Sequence, residues 1–271
     1  MLFRSKWDAE VLVLIINDGS TEERTVTELS FKNIKTVRVM NMKQNQGHAR
    51  CNAAGLKYLT EKEDFDYVIL MDGDGEDRPE ELTSLFNKSK ENSLKTVTAN
   101  RIKRSDGSFF KLLYECHKIL TYVFTGKLIK FGNYSCLPKE DAARLVKEAC
   151  IWSSFSGSVT KIISDRVSVP SIRGKRYFGP SQMSFFKLLV HSFSIIAVFK
   201  GSVIVRSVLF LIFYLFFVSS NLSIVTLFPV FIIFIFLFLI FKVSSRENIE
   251  ALNNSLENID NIDVLSDLNN G

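Results

Sequence analysis

The sequence predicts an α/β domain, a mostly parallel sheet with helices on both faces, followed by an interfacial helix and a two-helix transmembrane hairpin. Three observations carry that expectation. Short apolar, β-branched runs recur through the first hundred residues, each stopped by a polar turn and separated from the next by a helical segment, the alternation that builds parallel sheets. Residues 207–241 are almost entirely Leu, Ile, Val and Phe. The polar residues inside that stretch gather at its midpoint, as Ser219, Ser220, Asn221 and Ser223. At 271 residues and 46% hydrophobic content, the chain is long enough for one such domain and an anchor.

The elements follow in order. Residues 10–16 (EVLVLII) form a continuous apolar run halted by NDGS, a buried strand ending in a loop. Residues 21–31 read as a helix, 36–40 (TVRVM) as a second strand, and 48–59, rich in Ala, as a helix. Residues 67–71 (YVILM) are a third buried strand running into Asp72-Gly73-Asp74, and Pro79 sits in the first turn of a helix over 79–90. Residues 95–99 are a fourth strand, and helices are expected over 108–128 and 138–149. In such sheets ligands bind beyond the carboxyl ends of the strands, where Asp18, Asp72 and Asp74 fall.

Residues 184–199 (SFFKLLVHSFSIIAVF) are helical and dense in Phe, with Lys187, His191 and Lys200 as polar heads, so they lie in a membrane interface. A spanning helix needs roughly 20 apolar residues, so 207–241 fits either two helices with a tight turn or one long tilted helix. The clustered polar residues favour the hairpin. Lys200 and Arg206 precede it, Lys242 and Arg246 follow it, and the turn carries no charge, which places both ends in the cytosol. With Arg4, Lys6 and Asp8 near the start, the sequence shows no signal peptide, so the domain ahead of the hairpin is expected to be cytosolic. After Val243 the chain is rich in Asn, Asp, Glu and Ser, with Ile249, Leu252, Leu256 and Ile259 at helical spacing; a short pairing helix is one reading and a disordered tail the favoured one.

Net charge is +5, but the tail beyond Val243 alone carries −5, leaving a basic body suited to anionic lipid and phosphate-bearing ligands. The basic residues do not group with aromatics as in nucleic-acid modules, which argues against nucleic acid as a partner. Cys51, Cys116, Cys136 and Cys150 show no CxxC spacing and read as reduced thiols.

The strongest chemical signal is MDGDGEDRPE at 71–80. Asp72 and Asp74 follow a buried strand, and carboxylates at that spacing can share a hard divalent cation that neutralises a diphosphate, with Glu76 as a further ligand. A plain acidic turn is the simpler reading, and a calcium loop fails because Leu85 and Phe86 stand near its last ligand position. Asp18, in NDGS after a strand, could accept hydrogen bonds from a nucleotide base, although alone an Asp-Gly-Ser turn is just a turn. His48 and His117 sit on helices, where packed or solvated histidines outnumber catalytic ones.

These motifs have company. NDGST (17–21), NQGHARCNAAGL (45–56), MDGDGEDRPEEL (71–82) and ANRIKRSDG (99–107) occur in an order and spacing that resemble the family 2 inverting glycosyltransferases of the GT-A fold, over residues 10–185. With the hairpin, the chain is similar to the polyprenyl-phosphate branch of that family. The resemblance implies transfer of a sugar from a nucleotide-diphosphate sugar to a polyprenyl phosphate at the cytosolic membrane face, with Mg²⁺ or Mn²⁺, in cell-envelope glycan synthesis. It implies that Asp18 and Gly47 bind the nucleotide sugar, that Asp72 contacts it near the metal, and that Asp74 and Glu76 hold the metal, although the family usually has Gln at the Glu76 position. Arg101 and Arg104 face the phosphates, a task suited to guanidinium forks. RYFGPSQM (176–183) resembles the family's Arg-x-x-Gly-x-Ser-Lys element, which gives Arg176 and Ser181 phosphate or acceptor roles, with Gln182 in place of the Lys. Catalytic weight then rests on Asp72, Asp74 and Arg101. A lipid phosphate needs no general base; a hydroxyl acceptor would, and Asp106 is the nearest candidate. Asn133 and Tyr134, in FGNYS, are pocket candidates.

Family members begin with a strand ending in Pro-x-Tyr-Asn-Glu, and nothing similar precedes Glu10, which leaves the NDGS strand as a sheet edge. A catalytically silent scaffold paired with an intact transferase is therefore a third reading. A homo-oligomer is compatible with any of these. The resulting division is 1–183 catalytic domain, 184–200 juxtamembrane helix, 201–242 hairpin and 243–271 tail.

Overall fold

A computed structural model of the chain describes residues 9–20, 34–92, 94–103, 108–177 and 184–267. The helix expected over 21–31 lies outside these residues, as do Arg104, Asp106, Ser181 and Gln182. The α/β class holds. Strands β1 (Val11–Asn17) and β2 (Ile34–Met42) pair in parallel and lead to α1 (His48–Lys62). Next come β3 (Tyr67–Leu70), α2 (Leu82–Glu91), β4 (Thr96–Lys103) and α3 (Ser108–Thr125). Three elements that the sequence reading did not single out complete the domain: β5 (Ser135–Pro138), α5 (Phe155–Ile162) and β6 (Arg166–Ile172), with α4 (Lys139–Leu145) between β5 and α5.

The sheet is mixed. β5 is a fully buried four-residue strand that wedges antiparallel between β3 and β4, while β6 runs parallel to β4, giving the order β3-β5-β4-β6. Its brevity and its SCLP sequence hide the period-2 pattern that marks longer strands. A second ladder has the order β1-β2-β7, and among the described residues no strand pairing joins it to the first. β1 pairs only with β2 among those residues; its side chains are at most half-buried, and Ile15 is 40% exposed. Among the described residues the NDGS strand is therefore an edge.

The acidic tail is not a disordered appendage. After the membrane helices, α9 (Ile249–Asn253) is capped by Asn248, whose side chain accepts the Ala251 N–H, and β7 (Ile259–Asp267) then runs antiparallel along β2. Leu252 is fully buried beside Trp152, while Ile259 and Ile262 pack against Met40 and Met42. Of the apolar residues at helical spacing, Ile249 and Leu252 do lie on a short helix, α9, whereas Ile259 opens β7, whose pairing with β2 shifts register at Val37/Arg38 and Asn41/Met42. A polar ladder crosses all three strands: Asn17 donates to Asn41 Oδ1 at 2.9 Å, and Asn41 donates to Asn261 and to Asp263 Oδ2, the latter at 2.8 Å.

The C-terminal apolar helices begin with α6 (Phe185–Ala197), capped by Ser184. Two helices long and apolar enough to cross a membrane follow, α7 (Lys200–Val218) and α8 (Ile224–Ser244). At 1.5 Å per residue their 19 and 21 residues reach about 30 Å, the thickness of a bilayer core. The chain reverses at 219–223, where Ser223 and Thr226 cap α8 reciprocally, so the hairpin is realised and the single tilted helix is not. Lys200 at the start of α7 reaches Ser244 Oγ at 3.1 Å and Glu247 Oε2 at 3.0 Å, which pins the two outer ends together. Arg206 donates to the Val123 carbonyl at 3.1 Å and lies against Gly126, whose φ of +71° and missing side chain admit the guanidinium beneath α3.

Candidate active site

The carboxyl ends of β1, β3 and β4 gather most of the residues singled out from the sequence. At the end of β1, both oxygens of Asp18 are occupied by backbone: Oδ1 accepts the Gln46 N–H at 2.6 Å and Oδ2 the Gly47 N–H at 2.8 Å. Gly47 stands at φ +86°, a conformation open to glycine, and immediately precedes α1. Asp18 thus fixes the loop that presents His48, the first residue of α1.

Asp72 follows β3 and is the point of convergence. Its Oδ1 lies 3.2 Å from Asn133 Nδ2 and 3.2 Å from His48 Nε2, and the last two atoms are 2.5 Å apart. Burial opposes ionisation of Asp72, yet the His48 imidazole, Asn133 and Arg101 outweigh it and hold its carboxyl at about 2. The hydrogen bond that His48 donates to Asp72 raises its imidazole above the ordinary value against the effect of burial. His48 therefore belongs to the site, whereas Tyr134 is a core residue whose hydroxyl donates to the Arg78 carbonyl at 2.6 Å. His117 is packed in α3, where burial pushes it down to about 4, with Thr121 Oγ1 at 3.5 Å.

A third carboxylate lies beneath these. Asp77 is 4% exposed, accepts the Asp72 N–H at 3.0 Å, and has Arg101 Nη2 3.8 Å from its Oδ1. Burial, with Asp72 close by, pushes it up to about 6. Arg101 extends from β4 across Gly132, where a Cβ would stand 2.7 Å from the guanidinium. Sequence reasoning passed over Asp77 because it reads as one more acid in a polar turn; only its burial distinguishes it.

The rest of the acidic loop is clasped by the segment after β6. Arg176 Nη2 meets Asp74 Oδ2 at 2.9 Å and its Nε meets Glu76 Oε1 at 3.3 Å, while Arg173 pairs with Glu76 Oε2. Backbone bonds from Gly174 N to the Glu76 carbonyl (2.8 Å) and from Tyr177 N to the Asp74 carbonyl (3.0 Å) complete the clasp. Gly75, at φ +89°, faces the Tyr177 ring so closely that a Cβ would stand 2.8 Å from it. Arg176 thus joins the acidic loop, together with Arg173, which no motif flagged.

Hard carboxylate oxygens on one loop suit Mg²⁺ or Mn²⁺, which take one or two carboxylates and complete their shell with phosphate oxygens. Asp74 and Glu76 fit that role, provided the two arginines that neutralise them give way. Among the described residues no three His, Cys, Asp or Glu side chains converge as a self-sufficient metal site.

Comparison with known proteins bears on the family of the chain. Residues 5–150, just over half the chain, match the family model described as glycosyl transferase family 2. Two relatives, each called undecaprenyl-phosphate 4-deoxy-4-formamido-L-arabinose transferase, come from Klebsiella pneumoniae strain 342 and from K. pneumoniae subsp. pneumoniae strain ATCC 700721 / MGH 78578. Each is 27% identical over 183 residues, covering 65% of this chain and 54% of the relative, so the match spans about half the relatives' length. The motif order, the acidic loop at the strand ends and the family match together place the chain in glycosyl transferase family 2.

Proposed function

We propose that the chain transfers a sugar from a nucleoside-diphosphate donor to a polyprenyl phosphate at the cytosolic face of a membrane, inverting the anomeric centre. The observation that carries this reading is the set Asp72, Asp74 and Glu76 beside Arg101, Arg173 and Arg176, on a domain that leads into paired helices of membrane length. The named activity of the Klebsiella relatives supports the acceptor class. Because β7 pairs with β2, both flanks of the hairpin lie on the side of the catalytic domain, and their basic residues favour the cytosol.

An ionised lipid phosphate oxygen attacks the anomeric carbon as the bond from that carbon to the donor diphosphate breaks, and the nucleoside diphosphate leaves with the electron pair. No general base is needed, so catalysis rests on positioning and neutralisation. Asp18 and Gly47 shape the nucleotide loop, and Asp72 orients the donor sugar. Arg101 and Arg176 face the phosphates, with Arg104 and Ser181 assigned to the same task. Mg²⁺ or Mn²⁺ held by Asp74 and Glu76 would supply Lewis-acid stabilisation of the leaving diphosphate.

The test uses the full chain in detergent, UDP- and GDP-linked hexoses, Mn²⁺ and a short polyprenyl phosphate. A lipid-linked sugar that forms with wild type and is lost in Asp74→Ala supports the reading. Nucleotide binding without any lipid product overturns the acceptor, and binding of neither nucleotide nor Mn²⁺ supports a silent partner of another transferase.

A further inference from the structure

His48 and Asn133 belong to different elements, the first turn of α1 and the loop before β5, yet both reach the same oxygen of Asp72. We propose that this pair is a positioning clamp that turns the Asp72 carboxylate toward the donor sugar, and so contributes to sugar recognition rather than to nucleotide binding. The inference rests on the reading of Asp72 as the donor-facing carboxylate.

Asp72 Oδ1 takes both contacts, whereas Oδ2 has no partner among the described residues. The side chain of Asp72 is 20% exposed, so its freedom to rotate depends on what grips Oδ1. The backbone on which it stands is fixed separately by the Asp72 N–H bond to buried Asp77. A carboxylate with one oxygen held and the other left without a partner among the described residues is a preorganised acceptor for a hydroxyl, and a sugar supplies hydroxyls. The His48 side chain is 52% exposed, which puts it at the surface rather than in the core. Asp18 positions the clamp indirectly: it accepts the N–H groups of Gln46 and Gly47, the two residues that precede His48. The end of β1 thereby sets the orientation of a carboxylate at the end of β3, although no strand pairing links these two among the described residues.

The experiment measures, by calorimetry on the full chain in detergent with Mn²⁺, the affinity for UDP-glucose or GDP-mannose, whichever wild type binds more tightly, and for the matching free diphosphate. Loss of a hydrogen bond to a charged group predicts that Asn133→Ala and His48→Ala weaken nucleotide-sugar binding roughly tenfold or more. Binding of the free diphosphate should stay within about twofold of wild type, and His48→Gln, which keeps an N–H donor, should restore most of the loss. Equal weakening of both ligands reduces the pair to a structural role and overturns the proposal, as do unchanged affinities for both or a wild type that binds neither. A wild type that binds the sugar donor but transfers nothing to a polyprenyl phosphate sinks the proposed acceptor and leaves the clamp standing.

Discussion

Truncating Leu252 to Ala asks whether the acidic tail is part of the catalytic domain. Leu252 is fully buried in a cluster with Leu56, Ile151 and Trp152, so it joins α9 to α1 and to the turn at 149–152. A buried Leu→Ala change costs about 2–5 kcal/mol, the lost transfer energy plus the cavity left behind. With a shift of about 2–4 °C per kcal/mol for a domain of this size, Tm should fall by roughly 4–20 °C. Thermal unfolding of the full chain in detergent reads this directly, and hydrogen exchange should show the β2 amides losing protection as β7 detaches. Val264 on the same strand is 56% exposed and serves as the control, with Val264→Ala costing no more than about 0.5 kcal/mol. A Leu252→Ala protein that melts within about 1 °C of wild type, with β2 protection intact, would refute the packing of the tail.

Gly75→Ala should strain the acidic loop, since a φ of +89° disfavours a side chain and the new Cβ meets the Tyr177 ring; the expected signature is a Mn²⁺ requirement shifted upward roughly tenfold with little change in Tm. Chelation with EDTA should abolish transfer, and Mn²⁺ or Mg²⁺ should restore it; full activity in EDTA would remove the metal from the proposed mechanism. Because burial holds His117 at about 4 in the fold against about 6.5 when unfolded, the neutral ring contributes stability above pH 6.5 that is lost as pH falls toward 4. His117→Leu should therefore flatten the fall in Tm between pH 6.5 and 4.5, and an unchanged slope would show that His117 does not cause it.

Much of the site was legible in the chain itself. Asp72, Asp74 and Glu76 follow an apolar strand that must be buried, so their place at a strand end follows from local pattern alone. The hairpin was equally legible, because α7 and α8, with mean hydropathy of 2.3 and 3.2, are long and apolar enough to cross a membrane and a short polar turn separates them. Such features depend on residues adjacent in sequence, which is where periodicity carries information.

Other features depend on partners far along the chain. His48 looked like a solvated helix residue, and became part of the site only because Asp18 orients its loop toward a carboxylate 24 residues away. Arg173 meets Glu76 across 97 residues, and Asn41 meets Asp263 across 222. The tail, whose composition signals disorder, is ordered because the edge of β2 offers unpaired backbone groups and an apolar surface that Ile259 and Ile262 can cover. By itself the sequence determined the strand-end acids and the membrane hairpin, because their signals are local. Tertiary structure alone decided which arginines neutralise those acids, which side chains grip Asp72 and where the tail docks, because each joins segments that acquire proximity only on folding.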